Sequence, residues 1–269
     1  MIDRRIEVKT PEQIQVMRRA GVIVGETLEL LRAAVAPGVT TLDLDKLAAE
    51  HIRARGATPN FLGYHGFPAT ICTSVNDEVV HGIPSDRVLE AGDLVSIDCG
   101  AIVDGWHGDA AITVPVGEVG PELLELMRVC EESLWRGMAA AALGGRVTDI
   151  SFAIESYVRA QGHYGVIEDY VGHGIGSAMH MPPSVPNYGR PGKGPKLVRG
   201  MALAVEPMLT LGGIDTHVLA DDWTVVTDDG SWSAHFEHSF TVTPAGTMVL
   251  TELDGGAAKL GSLGVACAA

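Results

Sequence analysis

The stretch Leu94-Val95-Ser96-Ile97-Asp98-Cys99-Gly100-Ala101-Ile102-Val103-Asp104-Gly105-Trp106-His107-Gly108-Asp109-Ala110-Ala111-Ile112-Thr113-Val114-Pro115 places strand-like residues on both sides of Asp104-Gly105. Asp-Gly is a strong signal for a two-residue hairpin, because the favoured turn needs positive φ at both positions. Strands are predicted at Leu94 to Asp98 and His107 to Pro115. With Val103 facing Trp106, Asp98 pairs with Ala111 and Gly100 with Asp109, so the two acids project from one face as diagonal neighbours. No cation between Cys99 and Gly108 offsets them. Such a pair is costly unless one carboxyl keeps its proton or a metal sits between them.

The hairpin has an echo further along the chain. A shift of 108 residues lays Val39-Thr40 on Val147-Thr148, His65-Gly66 on His173-Gly174, Leu89 on Leu197, Gly92 on Gly200 and Asp98 on Glu206. A shift of 128 lays the segment from His107 to Val114 on that from His235 to Val242, and Asp109 falls on Glu237. Acid matches acid both times, as expected of a duplicated unit folded about a pseudo-two-fold axis. That axis would bring all four carboxylates to the centre of one sheet.

Helices precede the strands in each half. Thr10-Pro11-Glu12-Gln13 has the composition of a capping box, and Ile14, Met17, Val24, Leu28 and Leu31 follow at helical spacing until Pro37-Gly38. Further helices are predicted at 42–55, 121–143 and 149–161, and further strands at Ala69 to Val75, Ala202 to Glu206 and Ser233 to Val242. Helix pairs followed by hairpins indicate an α+β fold, a central antiparallel sheet with helices on its outer face. One catalytic domain is expected over 1–253, with repeats at about 10–117 and 118–250. Residues 254–269, rich in Gly, Ala and Ser, are expected to form a flexible tail.

Composition narrows the function. The 269 residues carry 19 Lys and Arg against 34 Asp and Glu, a net charge of −15, which argues against a general nucleic-acid surface. Arg190, Lys193, Lys196 and Arg199 are a local exception. They are the only formal charges between Asp169 and Glu206, and contact with ribosomal RNA is one reading of them. Cys72, Cys99, Cys130 and Cys267 have no C-x-x-C spacing and read as reduced thiols. No apolar run is long enough for a membrane span, and none follows Met1-Ile2-Asp3-Arg4-Arg5 as a leader would, so a cytoplasmic protein is expected.

Asp98, Asp109, Glu206 and Glu237, joined by His173 in Gly172-His173-Gly174-Ile175-Gly176, form a hard, oxygen-rich donor set. It suits two divalent first-row ions with bridging carboxylates, a hydrolytic arrangement in which the metals lower the pKa of a shared water.

In this order, and with Asn76-Asp77-Glu78-Val79-Val80-His81-Gly82-Ile83-Pro84 and Val205-Glu206-Pro207-Met208 around them, these residues resemble the type I methionine aminopeptidases of the pita-bread fold. The likeness runs from about residue 10 to 250. It implies removal of the initiator methionine from nascent proteins when the second residue is small. It also implies Asp98 on one metal, His173 and Glu206 on the other, Asp109 and Glu237 bridging, and Glu206 as general base. The metals would be Co, Mn, Fe or Zn. His81 and His180 match the family's catalytic-site histidines, the first at the scissile amide nitrogen and the second at the carbonyl oxygen. Phe61, Tyr64, Phe67, Cys72, Met179 and Trp223 match its methionine pocket, with Met179 where an aromatic is common. A monomer acting on nascent N-termini is expected, with no membrane and no sequence-specific nucleic acid. A proline-directed peptidase of the same fold and a metal-free binding module are the alternatives.

Overall fold

The computed structural model describes residues 6–268; Met1 to Arg5, on which the absence of a leader was read, and Ala269 lie outside the described residues. Helix α1 (Pro11–Ala34) opens on the expected capping box, the Thr10 side chain accepting from the Gln13 amide and the Gln13 side chain from the Thr10 amide. Helix α2 (Thr41–Ala54) opens on a second such box, between Thr40 and Asp43. The other pair is α3 (Pro121–Ala140) and α4 (Val147–Gln161). The first stops short of residue 143, and Gly144, at φ 88°, turns the chain into the next helix.

The helices cover one face of a nine-stranded, mainly antiparallel sheet. Its continuous path runs Thr58–Pro59, Leu94–Val103, Trp106–Pro115, Glu237–Thr243, Ala202–Val205, Gly172–Gly174 and Met181–Val185, with Ile71–Val75 and Gly246–Val249 paired at its sides. The hairpin extends to the turn itself, with Asp104 at φ 49° and Gly105 at φ 79°. Val103 faces Trp106, Asp98 faces Ala111 and Gly100 faces Asp109, as the turn chemistry required. Helix α1 presses close against this hairpin: a Cβ on Gly108 would sit 2.8 Å from the Gly21 amide nitrogen, so no larger residue fits there. The main core lies between helices and sheet, with Trp135, Leu31, Leu44, Ile97 and Phe240 fully buried.

Two expectations need correction. The strand predicted from Ser233 to Val242 is two strands, Ser233–His235 and Glu237–Thr243, in different sheets. Met208–Thr210 pairs with Ser233–His235 and with Gly165–Val166, whereas Ala202–Val205 pairs with the Glu237–Thr243 strand. Both chains therefore leave the large sheet together, at Glu206-Pro207 and Phe236. Pro207 has no N–H to continue a ladder, which accounts for the break.

The segment after Asp254, expected to be loose, is instead packed. Helix α5 (Ala257–Ser262) buries Leu260 completely, Cys267 bridges to Thr247, and the Ala268 amide donates to the Thr247 carbonyl at 3.0 Å. Small residues permit that close docking: a Cβ on Gly246 would lie 2.0 Å from the Ala266 carbonyl oxygen.

Candidate metal centre

The face of the sheet opposite the helices carries the acids. In register, Ala111 stands between Asp98 on one side and Glu237 on the other, and Asp109 lies two residues back along the same strand. Glu206 follows directly on Ala202–Val205, which pairs with the strand that begins at Glu237. Three adjacent strands and the end of a fourth thus turn four carboxyls to one place.

Their surroundings are dry. Asp109 and Glu237 are buried, and among the described residues Asp98 Oδ1, Asp109 Oδ1 and Glu237 Oε1 have no hydrogen-bond partner. Burial pushes the Asp98 carboxyl up to about 7. Burial also raises Asp109, Glu206 and Glu237 well above the carboxylate range, reinforced in each case by the charges of neighbouring acids. A cluster this unfavourable, with oxygens aimed at nothing, fits a bound cation.

His173, on the short Gly172–Gly174 strand, is fixed by its Nδ1, which lies 3.0 Å from the Gly174 carbonyl. That bond places the proton on Nδ1 and leaves Nε2 as a lone-pair donor, 3.6 Å from Glu206 Oε1. Ligand atoms of Asp109, His173 and Glu237 lie within 4.8 Å of one another, and so do those of Glu206, His235 and Glu237. Glu237 belongs to both groups. Asp98 belongs to neither and faces the cluster from the neighbouring strand.

All thirteen side chains singled out in the sequence line one cavity of about 100 Å³. Beyond the carboxylates it is apolar, where Phe61, Phe67, Cys72 and Met179 are buried and packed with Tyr64 and Trp223. Phe67 meets Trp223 edge to face at 5.0 Å. Burial and the acids Asp98 and Asp109 push the Cys72 thiol up, so it lines the pocket as a neutral, polarizable group.

Two histidines flank the acids. His180, at the mouth, shares a 2.9 Å hydrogen bond between its Nδ1 and Tyr64 Oη and packs 4.3 Å from the His173 ring. Partial burial and the nearby His65 lower its pKa. His81 has φ 62°, an uncommon backbone region for a non-glycine residue, and packs edge to face on Tyr170 at 5.6 Å. Burial, with His180 opposite, lowers it to about 4, so it is neutral near pH 7. His51 and His65 stay outside: His51 bonds Thr27 at 2.9 Å, and His65 is exposed beside Tyr64.

Three neighbours were not singled out in the sequence. Tyr170 supports His81, Asn187 donates from Nδ2 to the Glu206 carbonyl at 3.0 Å, and His235 reaches to 3.8 Å from Glu206 Oε2. His235 was visible as the repeat mate of His107. The broken strand that turns it toward the acids was not.

The sequence model of metallopeptidase family M24 matches residues 15–244. A methionine aminopeptidase of Clostridium acetobutylicum is 54% identical over 247 residues, covering 91% of this chain and 98% of that one. The crystal structure of methionine aminopeptidase from Thermotoga maritima superposes with a TM-score of 0.90 at 43% identity, covering 92% of this chain and 99% of that one. An Xaa-Pro dipeptidase from Bacillus anthracis superposes less well, with a TM-score of 0.72 at 25% identity, covering 92% of this chain and 62% of that one. The chain belongs to metallopeptidase family M24 and, within it, to the bacterial-type methionine aminopeptidases of pita-bread fold.

Proposed function

We propose that this chain removes the N-terminal methionine from nascent polypeptides whose second residue is small, with Asp98, Asp109, His173, Glu206 and Glu237 holding two divalent ions. The observation that carries the reading is one cavity in which unpartnered buried carboxylates meet an apolar dead end. When bound, the ions would activate a water and polarise the scissile carbonyl. Asp109 and Glu237 suit the bridging role, and Asp98 and the His173–Glu206 pair the flanking ones.

The protein groups supply the rest of the hydrolysis. Phe61, Phe67, Cys72, Met179 and Trp223 take the methionine side chain, whose flexible thioether suits a pocket of aromatic and sulfur groups. Glu206, ionised once the cations offset the neighbouring acids, accepts a proton from the attacking water. His180 is held by Tyr64. If the phenol donates to its Nδ1, the ring proton is on Nε2 and can stabilise the carbonyl oxygen as it gains charge. His81, neutral at pH 7, hydrogen-bonds the amide nitrogen as the bond to the second residue breaks. The products are free methionine and a chain with a new amino terminus.

The second side chain must sit beside the acids while His81 and His180 hold the amide. A large one would displace the reacting atoms, and about 1 Å there can cost 10²-fold. The reading is tested with peptides Met-X-Ser, Leu-Ala-Ser and Ala-Pro-Ser, with and without chelator and with each candidate metal restored. Metal-dependent cleavage confined to Met before Gly, Ala, Ser, Thr, Cys, Pro or Val is expected. Equal cleavage of Met-Lys, Met-Phe or Leu-Ala would show a broad aminopeptidase, and cleavage of Ala-Pro alone a proline-directed one. Among the described residues no helix is long and apolar enough to cross a membrane. We place the enzyme in the cytoplasm as a monomer meeting chains at the ribosome.

A further inference from the structure

His235 stands apart from the chain's other well-packed rings. The Nδ1 of His51 bonds Thr27, that of His107 bonds Asn60, and that of His238 bonds Thr251, each within 2.9 Å. His235 is 1% exposed, yet its Nε2 has no hydrogen-bond partner among the described residues. Its backbone is fixed on both sides, since Thr113 Oγ1 accepts from the His235 amide and donates to the His235 carbonyl, each at 2.9 Å. Phe236 is buried in the main core, while His235 and Glu237 on either side of it bring ligand atoms within 4.8 Å of each other. The ring does not line the cavity, and a bound peptide would not reach it.

The atoms that Nε2 does approach are carboxylate oxygens. Glu206 Oε2 is 3.8 Å away, too far for a hydrogen bond, and the Glu206, His235 and Glu237 ligand atoms fall within 4.8 Å of each other. Two donors on one ion, each at about 2.1 Å, are separated by about 3–4.2 Å depending on the angle between them. The nitrogen-to-oxygen gap lies in that interval. Glu206 thereby stands between two imidazoles, His173 at one oxygen and His235 at the other.

We propose that His235 is a sixth protein donor of the metal centre, binding through Nε2 an ion shared with Glu206 and Glu237. This rests on the two-ion reading above and extends it, because the centre then carries two imidazole donors. With two nitrogens it should retain softer divalent ions better than carboxylates and one imidazole would.

The test counts imidazoles on the metal. In protein loaded with Co(II), a coordinated ring that keeps its Nδ1 proton gives a strongly shifted, solvent-exchangeable proton NMR signal. Two such signals are expected, one lost in H235Q and the other in H173A. By calorimetry, H235Q should also bind its weaker Co(II) about 10–100-fold less tightly. A single signal that survives H235Q, or unchanged affinity, would overturn the sixth donor while leaving the five-residue centre standing. No shifted signal and no Co(II) uptake by the wild-type protein would overturn both.

Discussion

The two halves of the chain each supply two acids to the same cluster, but by different local means. In the first half Asp98 and Asp109 sit within an unbroken hairpin, and a ladder of ten residue pairs from Leu94–Pro115 to Val103–Trp106 sets their spacing. In the second half Glu206 and Glu237 sit where the ladder fails, beside Pro207 and Phe236, between two sheets. Short aspartates on a regular sheet need exact backbone register. Glutamates at a break have one more methylene and fewer backbone constraints, so their carboxyls can reach inward from less regular chain. The break leaves strand ends on both sides of Phe236, and His235 is the last residue of one of them, paired there with Met208.

The largest expected effect tests whether the halves are equal partners. D109N removes an oxygen donor from the hairpin and E237Q from the break, and each should lower kcat/KM at least about 10³-fold, as chelation should. Peptide kinetics on metal-titrated samples decide it. If E237Q retains activity that D109N loses, the centre belongs to the hairpin alone. Next is His180, which closes the site from the second half through Tyr64 of the first. H180A should lower kcat about 10²-fold with a smaller change in KM, the scale of losing one oxyanion donor. Y64F keeps the ring but not the 2.9 Å bond, and should cost less. A change confined to KM in H180A would mean that the ring only positions substrate.

A third effect concerns stability. Burial raises the folded-state pKa of Asp98 to about 7, above its unfolded value, and raises those of Asp109, Glu206 and Glu237 as well. Protons then bind the folded metal-free protein more tightly than the unfolded chain. For Asp98 the stabilising contribution is complete below about pH 4 and is lost as pH rises through about 7. Between pH 5.5 and 8, the Tm of chelated protein should fall by about 5 °C or more, and added metal should flatten that slope. D98N should flatten it part of the way, and E206Q further. A metal-free Tm that rises over this interval would show that the acids are not buried together.

How much could be read beforehand follows the same division. The hairpin register is local: Asp104-Gly105 sets the turn, and the alternation of side chains sets the face of both acids. Helix starts were legible for the same reason, Thr10 and Gln13 being neighbours in sequence as well as in space. The junction at Glu206 and His235 depends on pairing between residues about 30 apart, and no Gly or Pro interrupts Ser233 to Val242, so the break at Phe236 left no mark within that segment. The tail misled because small residues lower helix and packing signals in a chain taken alone. Here they serve close docking, with Leu260 as the anchor. The repeat pointed to Glu206 and Glu237 and the resemblance implied the role of each, but a likeness to a family has nothing to say about an additional donor.

The smallest expected effect is also a difference between halves. The loops that return to the helix turns are held alike: the Leu89 amide donates to the Val39 carbonyl at 2.9 Å, and the Leu197 amide to the Gly145 carbonyl at 2.9 Å. Their charges are not alike. The first loop carries Asp86, Arg87 and Glu90, with Arg87 paired to Glu78 at 2.6 Å. The second carries Arg190, Lys193, Lys196 and Arg199, all exposed, and among the described residues none pairs with a carboxylate. The backbone beneath them is fixed to α4, where Thr148 and Asp149 accept from the Lys193 and Gly192 amides at 2.7 and 2.8 Å. Four cations without a carboxylate partner among the described residues, on a loop tethered to α4 in a protein with net charge −15, form a small positive patch. If the enzyme works on chains as they emerge, this patch is the part of it suited to a phosphate backbone. Reversing all four charges should leave kcat/KM on Met-Ala-Ser within about twofold, because none of the four lines the cavity that holds the acids. It should weaken co-sedimentation with ribosomes at low salt about tenfold, and remove most of the dependence of that binding on salt. Reversing Asp86 and Glu90 in the first loop, as the matching control, should change neither quantity. Equal co-sedimentation and equal salt dependence in the four-charge variant would leave the patch as a solvated surface and return the two loops to the same structural role.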